Sequence, residues 1–282
     1  MSYYVPKPGE LLSRSIEDYP EGIILPVDKP YRWTSADVIR KIKWAACHHF
    51  GNRKLKVGHA GTLDPLATGL LLVCIGKATK LADELQSHKK EYLAGVSFGA
   101  TTPSFDLEKE IDAVYPLDGV SENSLRSVLD RFVGEQMQVA PLFSAKSVDG
   151  VRAYETARKL YRQGRLPEGS DILHASRVVI SRLELVGYGL PFVPAPAAEN
   201  GRCSRINVAD VSGHSLVRAE ILVECSKGTY IRALARDLGE ALGSGAFLHS
   251  LRRTATGEFR IGSALSMEDA MASLRLQSCD SE

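Results

Sequence analysis

The carboxylate of Asp64 stands where the chain is least free to move. It falls in Lys56-Val57-Gly58-His59-Ala60-Gly61-Thr62-Leu63-Asp64-Pro65-Leu66-Ala67-Thr68-Gly69, a glycine-dense stretch that runs straight into the apolar segment Leu70-Leu71-Leu72-Val73-Cys74-Ile75. Gly58, Gly61 and Gly69 admit positive φ or the close approach of another backbone. Pro65 fixes its own φ and turns Asp64 away from the helical region. A carboxylate on a stiff loop against a rigid strand is how a preorganised site is built. Asp followed by Pro is also ordinary turn composition, and the residues alone admit both readings. Arg232 is a second candidate. It falls in the first turn of an expected helix, off the centre of its apolar stripe. A cation is poorly placed at the positive end of a helix dipole, which hints at a nearby anion; a plain surface arginine fits the pattern too. The chain has no metal-ligand cluster, no P-loop and no dinucleotide loop followed by an acidic residue. Cys47, Cys74, Cys203, Cys225 and Cys279 are scattered with no CxxC pair, so neither zinc nor a disulfide framework is suggested.

The elements that must position these groups can be read from patterning. Residues 1–21 contain Pro6, Pro8 and Pro20 and suggest a loose arm. Gly22 to Val27 reads as a strand, and Lys29-Pro30 as a turn. Thr34 or Ser35 can cap a helix whose stripe is Val38, Ile39, Ile42 and Ala46. The continuous apolar run from Leu70 is the pattern of a strand buried on both faces. Ala82–Ser87 reads as helix. From Glu91 to Phe98, Tyr92, Ala94, Val96 and Phe98 alternate, so Tyr92 reads most simply as a core aromatic. Ser121 or Asn123 can cap a helix carrying Leu125, Val128, Leu129 and Phe132. The Asp149-Gly150 turn leads into Ala153 to Arg158. Strand alternation follows at Val178 and Ile180, then at Leu183 and Leu185. Residues 187–214 read as a long loop, and such loops are functional or mobile. Leu216–Glu224 reads as strand, and Thr229 is the expected cap of the helix carrying Ile231, Leu234, Ala235, Leu238 and Leu242. Met267–Leu274 could close the chain as a helix.

Three segments in order resemble one family. Gly58-His59-Ala60-Gly61-Thr62-Leu63-Asp64-Pro65-Leu66-Ala67-Thr68-Gly69 is similar to the signature loop of the bacterial TruB-type pseudouridine synthases, Lys90-Glu91-Tyr92 to their second motif, and Ser226-Lys227-Gly228-Thr229-Tyr230-Ile231-Arg232 to their third. The opening strand, Lys29-Pro30 turn and capped helix resemble the family's start, and Ala153 to Arg158 resembles a helix of the family, so a helix is expected there. The resemblance implies an α+β pseudouridine synthase fold: a large, mainly antiparallel mixed sheet with flanking helices and a central active-site cleft. It implies isomerisation of uridine in the T loop of tRNA, most specifically uridine 55, without cofactor or metal. Asp64 would be the catalytic carboxylate, as nucleophile at the sugar or as base at its 2′ carbon. Arg232 would pair with it, Tyr92 would lie against the base, and Leu251 would pack at the uridine pocket. His59 would occupy the space left by the flipped nucleotide. Gly58 and Lys29 belong to the same expected substrate site. Lys54, Lys56, Lys77, Lys80, Lys89 and Lys90 could supply phosphate contacts. The expected catalytic domain is 22–262, followed by a tail at 263–282 too short for the RNA-binding PUA domain usual in bacterial members. A binding factor without the chemistry, or a guide-dependent enzyme acting on ribosomal RNA, would share the fold.

The composition agrees with such a protein. Net charge is +1, but Ala36–Lys90 carries ten Lys/Arg against four Asp/Glu and Thr101–Asn123 one against six. That asymmetry suits an anionic partner held on one face, although a solvated charged face would look alike. No apolar run reaches membrane-spanning length, and Met1 to Pro6 do not begin a secretory signal. The expected setting is a cytoplasmic monomer that binds a tRNA T stem-loop with no obligatory protein partner.

Overall fold

The computed structural model describes residues 3–144, 147–148, 151–152, 157, 160–161, 163, 174–191 and 206–274. These form two compact units. One takes in the described residues up to Lys90 and from Arg252 onward; the other runs from Glu91 to Leu251. The fold is α+β, with mainly antiparallel mixed pairing and flanking helices.

In the first unit, strand β3 (Thr68–Ile75) is the centre. Every residue from Gly69 to Ile75 is buried, as its unbroken apolar sequence requires. Strand β1 (Ile23–Lys29) pairs with it antiparallel, from Ile23 opposite Ile75 to Lys29 opposite Gly69. The short strand β2 (Val57–His59) pairs antiparallel with residues 73–75. Helix α1 (Ser35–His49) buries Val38, Ile42, Ala45 and Ala46. It starts in a capping box: Thr34 accepts from Asp37 N, and the Asp37 side chain accepts from the Thr34 backbone. The short helix α2 (Ala82–Ser87) follows.

The expected loose arm is pinned instead. Tyr4 forms a bridge beside Ile23, Ile24 N donates to Tyr4 O at 2.8 Å, and Leu12 is buried with its N–H on Ser273 O at 3.1 Å. Backbone pairing along the β1 edge orders this proline-containing segment.

The second unit is built on β4 (Lys90–Phe98), with the ribbon β5 (Ala100–Thr101) and β6 (Ala113–Val114) beyond it. Helix α3 (Glu122–Arg131), capped by Ser121, leads to β7 (Gly134–Gln138). The small hairpin β8 (Ser147–Val148) and β9 (Val151–Arg152) comes next. Its expected Asp149-Gly150 turn lies outside the described residues, as does most of the helix expected after it. Strand β10 (Ser176–Tyr188) pairs antiparallel with β7 and with β11 (Val217–Cys225). The sheet order is then β12 (Ala246–Thr256), β4, β11, β10, β7. Of the expected loop at 187–214, residues 192–205 lie outside the described residues. Its beginning belongs to β10, and its end is held by Ala209 N on Leu107 O at 2.8 Å.

Helix α4 (Ile231–Ala241) starts one residue later than a Thr229 cap requires. Tyr230 stands at the N-cap and its side chain does not cap the helix, and Thr229 Oγ1 donates to Ser226 O. The helix entry is held from a distance: Tyr230 N donates to Gln138 Oε1 at 2.8 Å, and Gln138 Nε2 donates back to Tyr230 O.

In the first unit, the later half of β12 runs parallel to β3, with Arg252 opposite Thr68 and Arg253 opposite Gly69. It then pairs with β13 (Phe259–Arg260). Helix α5 (Met267–Ala272) closes the described chain.

Candidate active site

Asp64 lies in the first unit, half-buried, on the loop that climbs into β3. Its carbonyl accepts from Ala67 N at 3.1 Å, so the Asp-Pro turn is real, and it is also clamped. Ser35, the first residue of α1, binds both polar groups of Leu63: its Oγ accepts from Leu63 N at 2.9 Å and donates to Leu63 O at 3.2 Å. Two buried cations hold the rest of the loop. Arg253, 1% exposed, donates through Nη2 to Gly61 O at 3.1 Å and through Nε to Leu70 O at 2.6 Å. One guanidinium thus grips both ends of the loop. Lys29, fully buried, donates from Nζ to Pro30 O at 2.9 Å, Trp33 O at 2.5 Å and Pro65 O at 3.3 Å. Gly61 and Gly69 take φ of 95° and 100°, which only glycine adopts readily. Gly58 needs neither positive φ nor close packing; the space where its β-carbon would stand is open.

The electrostatics follow from burial. Desolvation pushes the Lys29 ammonium down to about 7; the charge of Asp64 acts against that fall and the charge of Arg253 adds to it. Three carbonyls around Nζ match the three protons of an ammonium, whereas a neutral amine could donate to only two. His59, at the end of β2, is lowered by burial and then by Arg253, so the neutral imidazole is favoured. Its Nδ1 is buried and has no hydrogen-bond partner among the described residues.

In the second unit, Tyr92 is 8% exposed on β4. Arg232, expected near the surface or beside an anion, is 4% exposed in the first turn of α4. Its Nη1 donates to Ser104 O at 3.1 Å and Nη2 to Phe143 O at 2.9 Å. Its Nε stands 3.7 Å from Asp106 Oδ2, a pair in which both side chains are buried. Asp106 is fixed in turn by Glu108 N on its Oδ1 at 2.9 Å. The guanidinium is therefore held on three sides before any substrate arrives. Leu251 is half-buried on β12.

Two expected RNA contacts are corrected by burial. Lys29 points into the loop and offers nothing to solvent, and Lys90, 6% exposed, donates to His88 O at 2.8 Å and to Gln86 O. Lys54, Lys56, Lys77, Lys80 and Lys89 are exposed. Sequence patterning missed Ser35, Arg253 and Asp106 as positioning groups. The Arg252-Arg253 pair in an otherwise strand-like run was the one available signal for a buried arginine. Among the described residues, no group of three His, Cys, Asp or Glu is arranged to hold a metal, and no helix is long and apolar enough to cross a membrane.

Comparison with known proteins gives the class. The solved Cbf5-Nop10-Gar1 complex matches with a TM-score of 0.58 and 24% identity, over 95% of this chain and 59% of that one. The archaeal box H/ACA sRNP Nop10-Cbf5 complex matches with a TM-score of 0.55 and 22% identity, over 89% and 53%. The chain spans little more than half the length of these structures, and the likeness establishes a pseudouridine synthase fold. The family model for the TruB family pseudouridylate synthase N-terminal domain matches residues 48–193, and that for the tRNA pseudouridylate synthase B C-terminal domain matches residues 232–282. The chain is 46% identical over 252 residues to tRNA pseudouridine synthase B of Phocaeicola vulgatus, covering 89% of this chain and 92% of that protein. It is 45% identical over 253 residues to the protein of the same name from Parabacteroides distasonis, covering 89% and 93%. This chain belongs to the TruB family of pseudouridylate synthases.

Proposed function

We propose that this chain isomerises a uridine of tRNA to pseudouridine, and that its target is uridine 55 in the T loop. The observation that carries this reading is that the family match over residues 48–193 spans the clamped loop that holds Asp64. The reaction breaks the N1–C1′ bond, turns the uracil and joins C5 to C1′, so atoms balance without a redox step. It needs a carboxylate at the sugar, a cation beside the developing charge and an aromatic against the base. Asp64, Arg232 and Tyr92 supply these. Asp64 either attacks the sugar or takes the 2′ proton. Arg232 acts through its fixed fork. Tyr92 stacks on the uracil and assists loss of the C5 proton, with Leu251 packing at the same base.

A base inside a stacked loop must leave it to be modified. His59 fills the space the flipped nucleotide leaves, and a neutral imidazole can stack there without bringing a charge among bases. Lys54, Lys56, Lys77, Lys80 and Lys89 bind phosphates, so affinity falls with salt. The working form is a monomer with no obligatory protein partner, acting on tRNA in the cytoplasm.

The test is tritium release from 5-³H-uridine in an unmodified T stem-loop and in full-length tRNA, for wild type and Asp64→Asn. Release by wild type alone supports both the reaction and the carboxylate. Binding without release would overturn the enzymatic reading, and turnover by a folded Asp64→Asn protein would overturn the role of Asp64.

A further inference from the structure

The outer face of α1 carries a large aromatic side chain in water. Trp44 is 61% exposed there. From Val38 to Leu63 the chain carries Arg40, Lys41, Lys43, Arg53, Lys54 and Lys56 and no Asp or Glu. Each of these six cations is exposed. Arg40 is tied to Asp37 at 2.7 Å, just outside that stretch. One turn after Trp44, His48 lays its ring against the indole, centroids 4.4 Å apart at 39°, and its Nδ1 is hydrogen-bonded to Trp44 O at 2.7 Å. The two rings form one fixed platform. The turn after the helix is also fixed: Asn52 N donates to Cys47 O at 3.0 Å, and Lys54 N donates to Asn52 Oδ1 at 3.0 Å. Arg53 and Lys54 are thereby set at the helix end, and the chain continues directly into β2 and the Asp64 loop.

Cations at a helix C-terminus offset its dipole, and that alone could place basic residues here. It does not account for an indole left in water, tilted against a histidine ring on a helix that carries exposed cations. An aromatic platform among cations is the chemistry of single-stranded nucleic acid binding, where rings stack on bases and cations follow the backbone.

We propose that the outer face of α1 and the turn after it form a second contact surface for the RNA substrate: an unpaired base or ribose stacks on Trp44, and adjoining phosphates meet Lys43, Arg53 and Lys54. The proposal rests on the tRNA reading above and adds to it a surface that takes no part in the chemistry.

The test measures dissociation constants for an unmodified full-length tRNA transcript over a salt series. The variants are Trp44→Ala, Trp44→Phe and the double variant Lys43→Glu with Arg53→Glu, with circular dichroism to verify folding and tritium release at saturating tRNA. Trp44→Ala should weaken binding about tenfold, the loss expected of one stacked base, while Trp44→Phe stays near wild type and kcat is unchanged in both. The double variant should lower the salt slope by about one for each cation reversed. Unchanged affinity and slope in folded variants, with wild type still converting tRNA, would overturn this surface and leave the proposed function standing. Equal loss in Trp44→Ala and Trp44→Phe would overturn the stacking role. A wild-type protein that neither binds nor converts tRNA would overturn both readings.

Discussion

The backbone of Arg253 lies so close to Gly69 that a β-carbon on Gly69 would stand 2.3 Å from the Arg253 carbonyl oxygen and 2.7 Å from its nitrogen. The contact is the parallel pairing of β12 with β3, at the point where the Asp64 loop enters the strand. Backbone atoms cannot step aside as a side chain can. Gly69 also has φ of 100°, so alanine would add backbone strain to the clash. Gly69→Ala should lower stability by at least about 3 kcal/mol, read as the urea midpoint. A variant that melts with wild type would show that β12 and β3 do not approach as described.

Arg253 itself carries the second prediction. Its guanidinium grips Gly61 O and Leu70 O, the two ends of the loop. Lysine keeps the charge but has no fork with which to reach both carbonyls at once. Arg253→Lys should cost roughly 2 kcal/mol, the order of leaving one buried acceptor unmatched, and should lower kcat more than it raises KM, because the loop and not a substrate contact is loosened. Full activity at wild-type stability would remove Arg253 from the positioning of Asp64.

Asp106 is predicted to act through Arg232. The two buried side chains face each other at 3.7 Å, and backbone carbonyls of Ser104 and Phe143 take the other guanidinium nitrogens. Removing one partner of a buried pair leaves a charge poorly matched, at a cost of about 3 kcal/mol. Asp106→Asn should therefore reduce both the melting temperature and kcat, while KM for tRNA stays within about twofold, since Asp106 is not offered to RNA. Asp106→Glu should recover part of kcat if charge matters, and a purely packing role would show no such recovery.

What the sequence disclosed and what it hid divide along the range of the interactions. The apolar run Leu70–Ile75 announced a strand buried on both faces, because burial alone writes that pattern. The shift in β10 from Val178 and Ile180 to Leu183 and Leu185 breaks the two-residue period, and the register slips between Ile180 and Arg182 where a bulge absorbs one residue. The loop of Asp64 was legible from its glycines and proline and from its family resemblance. Its restraints were not. Ser35, Lys29 and Arg253 reach it from other segments, and all but one of their recorded bonds to it go to backbone carbonyls, which have no residue identity for a pattern to register. Gln138 holds the entry to α4 from ninety-two residues away, so Thr229 looked like the cap that it is not. Lys29 and Lys90 looked like surface cations because lysine usually is one; carbonyl cages keep them inside.

Lys29 gives a pH dependence whose sign follows from its burial. Its ammonium is pushed down to about 7 in the folded protein, against 10.5 for an ordinary lysine. Between those values the unfolded chain binds a proton that the folded chain holds less firmly, so this group makes stability rise with pH through that window. Below about pH 7 both states are protonated and the cost of the buried charge is constant. Buried Cys74, raised from 9.0 to about 11, acts in the opposite direction only above pH 9, and Tyr3 and Tyr4, raised to about 12, only above pH 10. The clean interval is therefore pH 7 to 9. Wild type should gain stability across it, and Lys29→Met should show a nearly flat profile while still losing the clamp on Pro65. Urea unfolding of both proteins at half-unit steps decides the matter. A wild-type profile as flat as that of the variant would mean that the three carbonyls and Asp64 hold Lys29 charged well above pH 9. The lysine would then act as a permanent cation beside the loop.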